Sequence, residues 1–262
     1  MTFTKYLENL KVEDGSVAVI WMGQAGFAFK TAKGSLIGID PFLTDYVEKA
    51  IPEEGLAFRR MAPALCAPDE IEFDYLFSSH EHEDHWDLDA VPVFLSCKKT
   101  KTYANRDSID KAAAKGIDVA SVKEIKVGDI IQFDEFTLTC TKADHGPLAP
   151  NAMGFIFDFG FTKIYYSGDT CYNLEALKVA VEAKPQVALL PINGAFGNLN
   201  AADAAKLAKD LHSKVCIPHH FWTFPMHKGE GGDPIDAIRC FPEIAPEVEL
   251  ALMTPGKALI CK

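Results

Sequence analysis

Ser78-Ser79-His80-Glu81-His82-Glu83-Asp84-His85-Trp86 follows directly on Phe73-Asp-Tyr-Leu-Phe-Ser78, an apolar run that reads as a buried strand. Three imidazoles and an aspartate fall within six residues. Clustered histidines do nothing for a core that leucine does not do better, and the plain alternative is a solvated acidic loop with incidental histidines. As metal ligands they make sense. Imidazole nitrogens and carboxylate oxygens bind Zn²⁺, Mn²⁺ or Fe²⁺, and a loop can turn His80 and His82 to one ion and Asp84 and His85 to a neighbour.

Four ligands on one loop cannot complete two metal shells, so further donors are expected at other strand ends. The chain offers Ala143-Asp144-His145-Gly146, Tyr166-Ser167-Gly168-Asp169-Thr170 and Pro218-His219-His220-Phe221, each after a strand-like run. Alone, each reads as a turn or a helix cap. After an HxHxDH loop they read as donors, with one of His219 and His220 left over.

Outward from these motifs, Ser16–Met22, Phe27–Thr31 and Ser35–Ile39 read as an antiparallel meander, with turns at Gly23-Gln24-Ala25-Gly26 and Lys33-Gly34. Residues 43–70 carry mixed helical signals, several prolines and Arg59-Arg60, and are expected to form an inserted cap. Residues 107–116 read as a helix, 130–142 as a strand pair, and 152–167 as a hairpin around Gly160. The second half then alternates: helix 174–183, strand 186–190, helix 201–212 capped by Asn200, strand 214–218, a helix begun by Asp233-Pro234, and a closing strand at 257–261. Strands in runs with helices between them indicate two packed sheets covered by helices. No linker or composition break interrupts residues 1–262, so a single domain is expected.

The order Asp40, His80-x-His82-x-Asp84-His85, His145, Asp169, His220 resembles the metallo-β-lactamase superfamily over nearly the whole chain. The resemblance implies an α/β fold, an αββα sandwich of two mixed β-sheets flanked by helices. It also implies two divalent metal ions, zinc or manganese with iron as a further option. His80, His82 and His145 would hold the first, Asp84, His85 and His220 the second, and Asp169 would bridge them. Asp40 would orient a ligand loop from behind. His220 is preferred to His219 because the family's ligand usually lies two residues after a strand-ending proline, here Pro218. Trp21-Met-Gly-Gln-Ala-Gly-Phe27, Asp40-Pro-Phe-Leu43, Tyr166-Ser-Gly-Asp169 and Ile217-Pro-His-His-Phe-Trp-Thr-Phe224 look like the lactonase-like branch typified by L-ascorbate-6-phosphate lactonase. By analogy with that enzyme, a homo-oligomer is expected.

Composition bounds the partners. The 262 residues hold 26 Lys+Arg against 37 Asp+Glu, a net charge of −11, and no local basic patch, which argues against nucleic acid. No run approaches the ~18 apolar residues of a membrane span, and the N-terminus has no long apolar segment. Seven scattered cysteines without CxxC spacing suit reduced thiols and a cytoplasmic setting, most of them packed as small hydrophobes.

The resulting expectation is a metal-dependent hydrolase that opens a lactone or related carboxylic ester, with a phosphorylated sugar lactone as one candidate. Two cations sharing a water lower its pKa from ~16 towards ~7, and Asp84 both binds metal and orients the nucleophile. Arg60, with Arg59 and Lys228, is a candidate for phosphate contact. Asn198, Gln24 and Asn193 would line the cleft, and His227 would protonate the leaving group or touch substrate. The alternatives are a phosphodiesterase using the same metals and a non-catalytic metal-binding or sensor protein.

Overall fold

Val17-Ala-Val-Ile-Trp-Met is apolar at every position, which suits a strand covered on both faces. In the computed structural model, which describes all 262 residues, these six residues are buried within β1 (Val17–Gly23). A turn at Gln24-Ala25 returns the chain as β2 (Gly26–Thr31), and a second turn leads into β3 (Leu36–Ile39). Pairings such as Val19↔Phe29 and Phe29↔Ile37 make this the expected antiparallel meander. From β3 outward the sheet becomes parallel, through β4 (Tyr75–Phe77), β5 (Lys101–Ala104) and the short β6 (Lys123–Glu124).

These strands belong to the first of two compact units, formed by residues 1–125, 223–225 and 254–262; the second comprises 126–222 and 226–253. The first unit's helices are α1 (Phe3–Asn9), α2 (Tyr46–Ala50), α3 (Val91–Ser96) and α4 (Arg106–Ala114). Asn105 starts α4 by accepting from the Ser108 N–H at 2.8 Å, the bond expected of an N-cap. Phe73, Leu76, Phe94 and Ile71 form one apolar cluster with β1; Phe42, Trp86, Ile109 and Phe224 form another.

The second unit repeats the plan. β7 (Ile130–Gln132), β8 (Thr137–Lys142), β9 (Met153–Asp158) and β10 (Lys163–Tyr166) are antiparallel neighbours. β11 (Val187–Pro191), β12 (Val215–His219) and β13 (Glu249–Leu250) continue in parallel. Its helices are α5 (Lys178–Ala183), α6 (Ala201–Asp210) and α7 (Pro234–Ile244). Asn200 caps α6 by accepting from Asp203 N–H at 2.9 Å, and Asp233 caps α7 in a reciprocal pair with Asp236. The last strand, β14 (Ala258–Cys261), returns to the first unit and pairs antiparallel with β1.

Two mixed seven-stranded sheets with helices are therefore present, in the orders β14-β1-β2-β3-β4-β5-β6 and β13-β12-β11-β10-β9-β8-β7. Some boundaries differ from the sequence expectation. The helix expected over 174–183 starts only at Lys178, because Asn173 draws Glu175 and Ala176 into a turn with its side-chain oxygen. The helix expected to reach His212 stops at Asp210, and His212 follows at φ +54°. α1, α3 and β5 carry too few periodic residues to stand out in the sequence. Four of the seven cysteines are buried and all seven are free thiols. No helix is long and apolar enough to cross a membrane.

Candidate metal centre

The first unit supplies the HxHxDH loop, which leaves the C-terminal end of β4 beside the end of β3. Parallel pairing of Ile39 with Phe77 sets Asp40 next to Ser78 and Ser79. Asp40 is fully buried at φ +44°, a left-handed conformation that aspartate tolerates better than most residues. One of its oxygens accepts from the Ser79 N–H at 2.7 Å, and the other accepts from the Ser79 hydroxyl and lies 2.7 Å from His85 Nδ1. His85 Nδ1–H thus donates to the carboxylate, which puts the ring's lone pair on Nε2. Ser79 spends its proton on Asp40, so its oxygen accepts from His80 Nδ1 at 2.9 Å. One buried carboxylate thereby sets the tautomer of two imidazoles, as expected of groups standing behind metal ligands.

The ring nitrogens of the loop crowd together. His80 Nε2 lies 3.1 Å from His82 Nδ1, and the His80 and His85 rings are 4.0 Å apart. Asp84 Oδ2 is 3.7 Å from His85 Nε2 and accepts from Gln24 Nε2 at 2.8 Å. Gln24 sits in the first hairpin turn at φ +48°, and Trp21 Nε1 donates to its carbonyl. This Gln24–Asp84 bond was not legible in the sequence, although the Gly-Gln-Ala-Gly turn marked the place. Lys111 from α4 donates to the Glu81 main-chain carbonyl at 2.8 Å and to the Glu83 carboxylate at 2.6 Å, tying the loop to α4. Asp87 accepts from Leu43 N–H, Thr44 N–H and the Thr44 hydroxyl, tying the loop's exit to the start of residues 43–70. Burial raises the Asp87 carboxyl above its usual range.

The second unit contributes one donor per strand end. His145 follows β8, Asp169 follows β10 and His220 follows β12. Asp169 is 3% exposed. Its Oδ1 is 3.1 Å from His220 Nε2 and its Oδ2 is 3.8 Å from His145 Nε2, so one carboxylate presents an oxygen to each of two imidazoles. Asn198 Nδ2 donates to Oδ2 at 2.8 Å, holding the carboxylate's rotation. His219 points elsewhere and stacks on Tyr166 at 5.5 Å. Because neighbouring strand residues alternate sides, the left-handed turn at His220 (φ +67°) is what brings the second histidine to Asp169.

A further tie joins the His145 and Asp169 loops. Asp144 N–H donates to Thr170 Oγ1 at 2.9 Å, while its carboxylate accepts from Asn173 at 2.7 Å and from the Cys171 thiol. The Asn173 bond holds the Asp144 carboxyl below its usual range; burial, then Asp144 itself, push the Cys171 thiol up to about 11. His227 lies with its ring 4.6 Å from that of His220 and stacks on Phe196 at 5.2 Å. Its loop is held by Gly229, whose N–H donates to the Asn193 carbonyl at 2.7 Å. A Cβ at Gly229 would meet the Gly194 carbonyl oxygen at 1.9 Å, so only glycine permits the approach.

The cations considered for phosphate all have partners of their own. Arg60 donates to the Phe42 carbonyl at 3.1 Å and lies 4.6 Å over the Phe42 ring; burial lowers its pKa. Arg59 pairs with Glu48 at 2.6 Å, and Lys228 with Asp233 at 3.1 Å. Residues 43–70 are folded within the first unit, where Met61 N–H donates to the Thr223 carbonyl and Phe58 packs edge-on against Phe224.

The donor set suits a divalent cation. Buried imidazoles with fixed tautomers, and a carboxylate between two of them, combine the nitrogen and oxygen ligands that zinc, manganese and iron share. Asp40, His80 and His85 each place a ligand-type atom within 4.8 Å of the others, the carboxylate holding the two imidazoles from behind.

Comparison with known proteins agrees with this chemistry. Residues 18–220 match the family model described as a beta-lactamase superfamily domain. A UPF0173 metal-dependent hydrolase of Methanopyrus kandleri is 28% identical over 251 residues, covering 92% of this chain and 98% of the relative. Its counterpart from Rubrobacter xylanophilus is 28% identical over 257 residues, covering 94% and 97%. Among solved structures, the metallo hydrolase Igni18 of Ignicoccus hospitalis superposes with a TM-score of 0.70 at 22% identity, covering 94% of this chain and 99% of the other.

Proposed function

Since the chain belongs to the beta-lactamase superfamily, we propose that it is a metal-dependent hydrolase that opens a lactone or related carboxylic ester. The observation that carries the reading is Asp169, a buried carboxylate with one oxygen turned to His145 and the other to His220. In this reading His80, His82 and His145 hold one divalent ion, Asp84, His85 and His220 hold a second, and Asp169 is shared. Bound there, the ions would supply Lewis acidity and lower the pKa of water towards neutrality.

The chain's own residues do the positioning. Asp40 fixes the His85 and His80 rings through Ser79, so their lone pairs need no reorientation when an ion arrives. Gln24 donates to one oxygen of Asp84 and so fixes the rotation of the carboxylate that, in this reading, orients the attacking water. Asn198 donates to Asp169 and fixes the rotation of that carboxylate. In the reaction, water oxygen bonds to the carbonyl carbon, the carbon–oxygen bond of the ester breaks, and the alkoxide leaves with a proton. In this reading His227, whose ring lies 4.6 Å from that of His220, touches the substrate. The lactonase-like motifs in the sequence and the curated metal-dependent hydrolases support the reaction class.

The test is hydrolysis by metal-loaded protein of a panel of lactones and esters beside bis-p-nitrophenyl phosphate, with metal content measured on the same samples. Lactone or ester turnover that disappears on chelation and returns with divalent metal is expected. Turnover of the phosphodiester alone would replace the reading with phosphodiester hydrolysis.

A further inference from the structure

Residues 223–225 come just after His219-His220 in the chain, yet they belong to the first unit. They are fastened there at several points. The Thr223 carbonyl accepts from the Met61 N–H at 2.9 Å, and the buried Phe224 ring packs against Phe42 at 5.7 Å and Phe58 at 5.8 Å. From this anchored residue the Thr223 hydroxyl oxygen accepts from the Gln24 N–H at 3.2 Å. Gln24 is fully buried in the first hairpin turn, with a left-handed backbone at φ +48° that glycine or asparagine would adopt more cheaply. Its main chain is gripped on both sides, since Trp21 Nε1 donates to its carbonyl at 2.9 Å while Thr223 takes its N–H. Its side chain then donates to Asp84 Oδ2 at 2.8 Å. A strained residue persists where the surrounding structure holds it for use, and here the use is the Asp84 carboxylate.

We propose that Thr223 is a positioning residue: its hydroxyl oxygen fixes the Gln24 backbone and, through the Gln24 side chain, the rotation of Asp84. This rests on the reading above, in which Asp84 binds metal and orients the attacking water. The direction of action follows from what each residue is attached to. Thr223 is the fixed end, tied by its carbonyl to Met61 and by its neighbour Phe224 to two rings. Asp84 is the adjustable end, a partly buried carboxylate on a loop. Met61 also makes residues 43–70 part of the support, so the inserted segment acts on the centre through Thr223 and Gln24. Loss of the Thr223 hydroxyl leaves every donor in the chain and changes only how firmly one carboxylate is held.

Thr223→Val keeps the shape of the side chain and removes the acceptor, and Thr223→Ala removes it with less bulk should the first variant fail to fold. Thr223→Ser restores it. In metal-free protein, hydrogen exchange at the Gln24 N–H, followed by NMR, reads the bond directly. Exchange is expected to quicken about fivefold in Thr223→Val, the Gln24 side-chain amide signal to move, and both to return in Thr223→Ser. Unchanged exchange with an unmoved side-chain signal overturns the proposal, whatever the metal does. In cobalt-loaded protein the visible absorption bands should shift, and kcat on an ester or lactone should fall about fivefold at unchanged KM. In a Gln24→Ala background, Thr223→Val should add no further loss; additive losses mean that Thr223 acts by another route and overturn the assignment. A protein that turns over no ester or lactone, but whose cobalt bands and Gln24 signal move in Thr223→Val, sinks the reaction and keeps the positioning role. Ester turnover with equal kcat in the wild type and Thr223→Val does the reverse.

Discussion

The two units are built to one plan and deliver their donors differently. Each has a sheet that is antiparallel on one side and parallel on the other, with polar residues at the C-terminal ends of its strands. The first unit places His80, His82, Asp84 and His85 on one loop after one strand. The second places His145, Asp169 and His220 after three different strands, β8, β10 and β12. On the single loop, His80 and His85 are fixed by one buried acid, Asp40, and Asp84 by Gln24 of the first hairpin turn. Scattered ligands depend on strand pairing and on ties between loops, such as Asp144 with Thr170 and Asn198 with Asp169.

The largest effect that would break this comparison comes from Asp169→Ala. If its carboxylate is shared, metal analysis should show both ions depleted and ester turnover lost, whereas loss of one equivalent with the other retained would reassign Asp169 to a single ion. Next in size is the pair of positioning residues. Asp40→Ala removes the acceptor that orients two imidazoles and should weaken metal affinity by roughly 10–100-fold, visible in a competition titration against a chromogenic chelator. Asn198→Ala removes one neutral donor from Asp169 and should cost less, about 1 kcal/mol or fivefold. Equal losses from the two would mean that the units hold their donors alike. Smallest of all, Asn105→Ala uncaps α4 away from the donors and should lower unfolding stability by about 1 kcal/mol with turnover unchanged; a drop in turnover would show that α4, through Lys111, sets the loop's position.

The same contrast explains what could be read from residues alone. The meander β1–β3, the hairpin β9–β10 and the caps Asn200 and Asp233 declare themselves through alternation, turn glycines and side-chain oxygens, all local signals. The HxHxDH loop is legible for the same reason. α3 and β5 were missed because parallel strands joined by a short helix carry no turn signal and little periodicity. Asn198 was legible only as a polar residue in a glycine-bearing loop; its bond to Asp169 spans 29 positions and arises from the antiparallel bridge between Asn193 and Asn200 that folds the loop back. Arg60 could be read only as a cation; its bond to the Phe42 carbonyl and its place over the Phe42 ring join positions 18 residues apart and come from the tertiary fold.

By itself, the sequence determined the chemistry available: imidazole and carboxylate donors at strand ends, in an order shared with a known superfamily. Tertiary structure decided which of those groups meet. His219 and His220 are adjacent and chemically identical, yet only one reaches Asp169. The cause is backbone geometry, since alternation along β12 and a left-handed turn at its end send the two rings to different sides, one onto Tyr166 and the other onto the carboxylate. No property of the residue type could have made that choice, because it depends on where the strand stops.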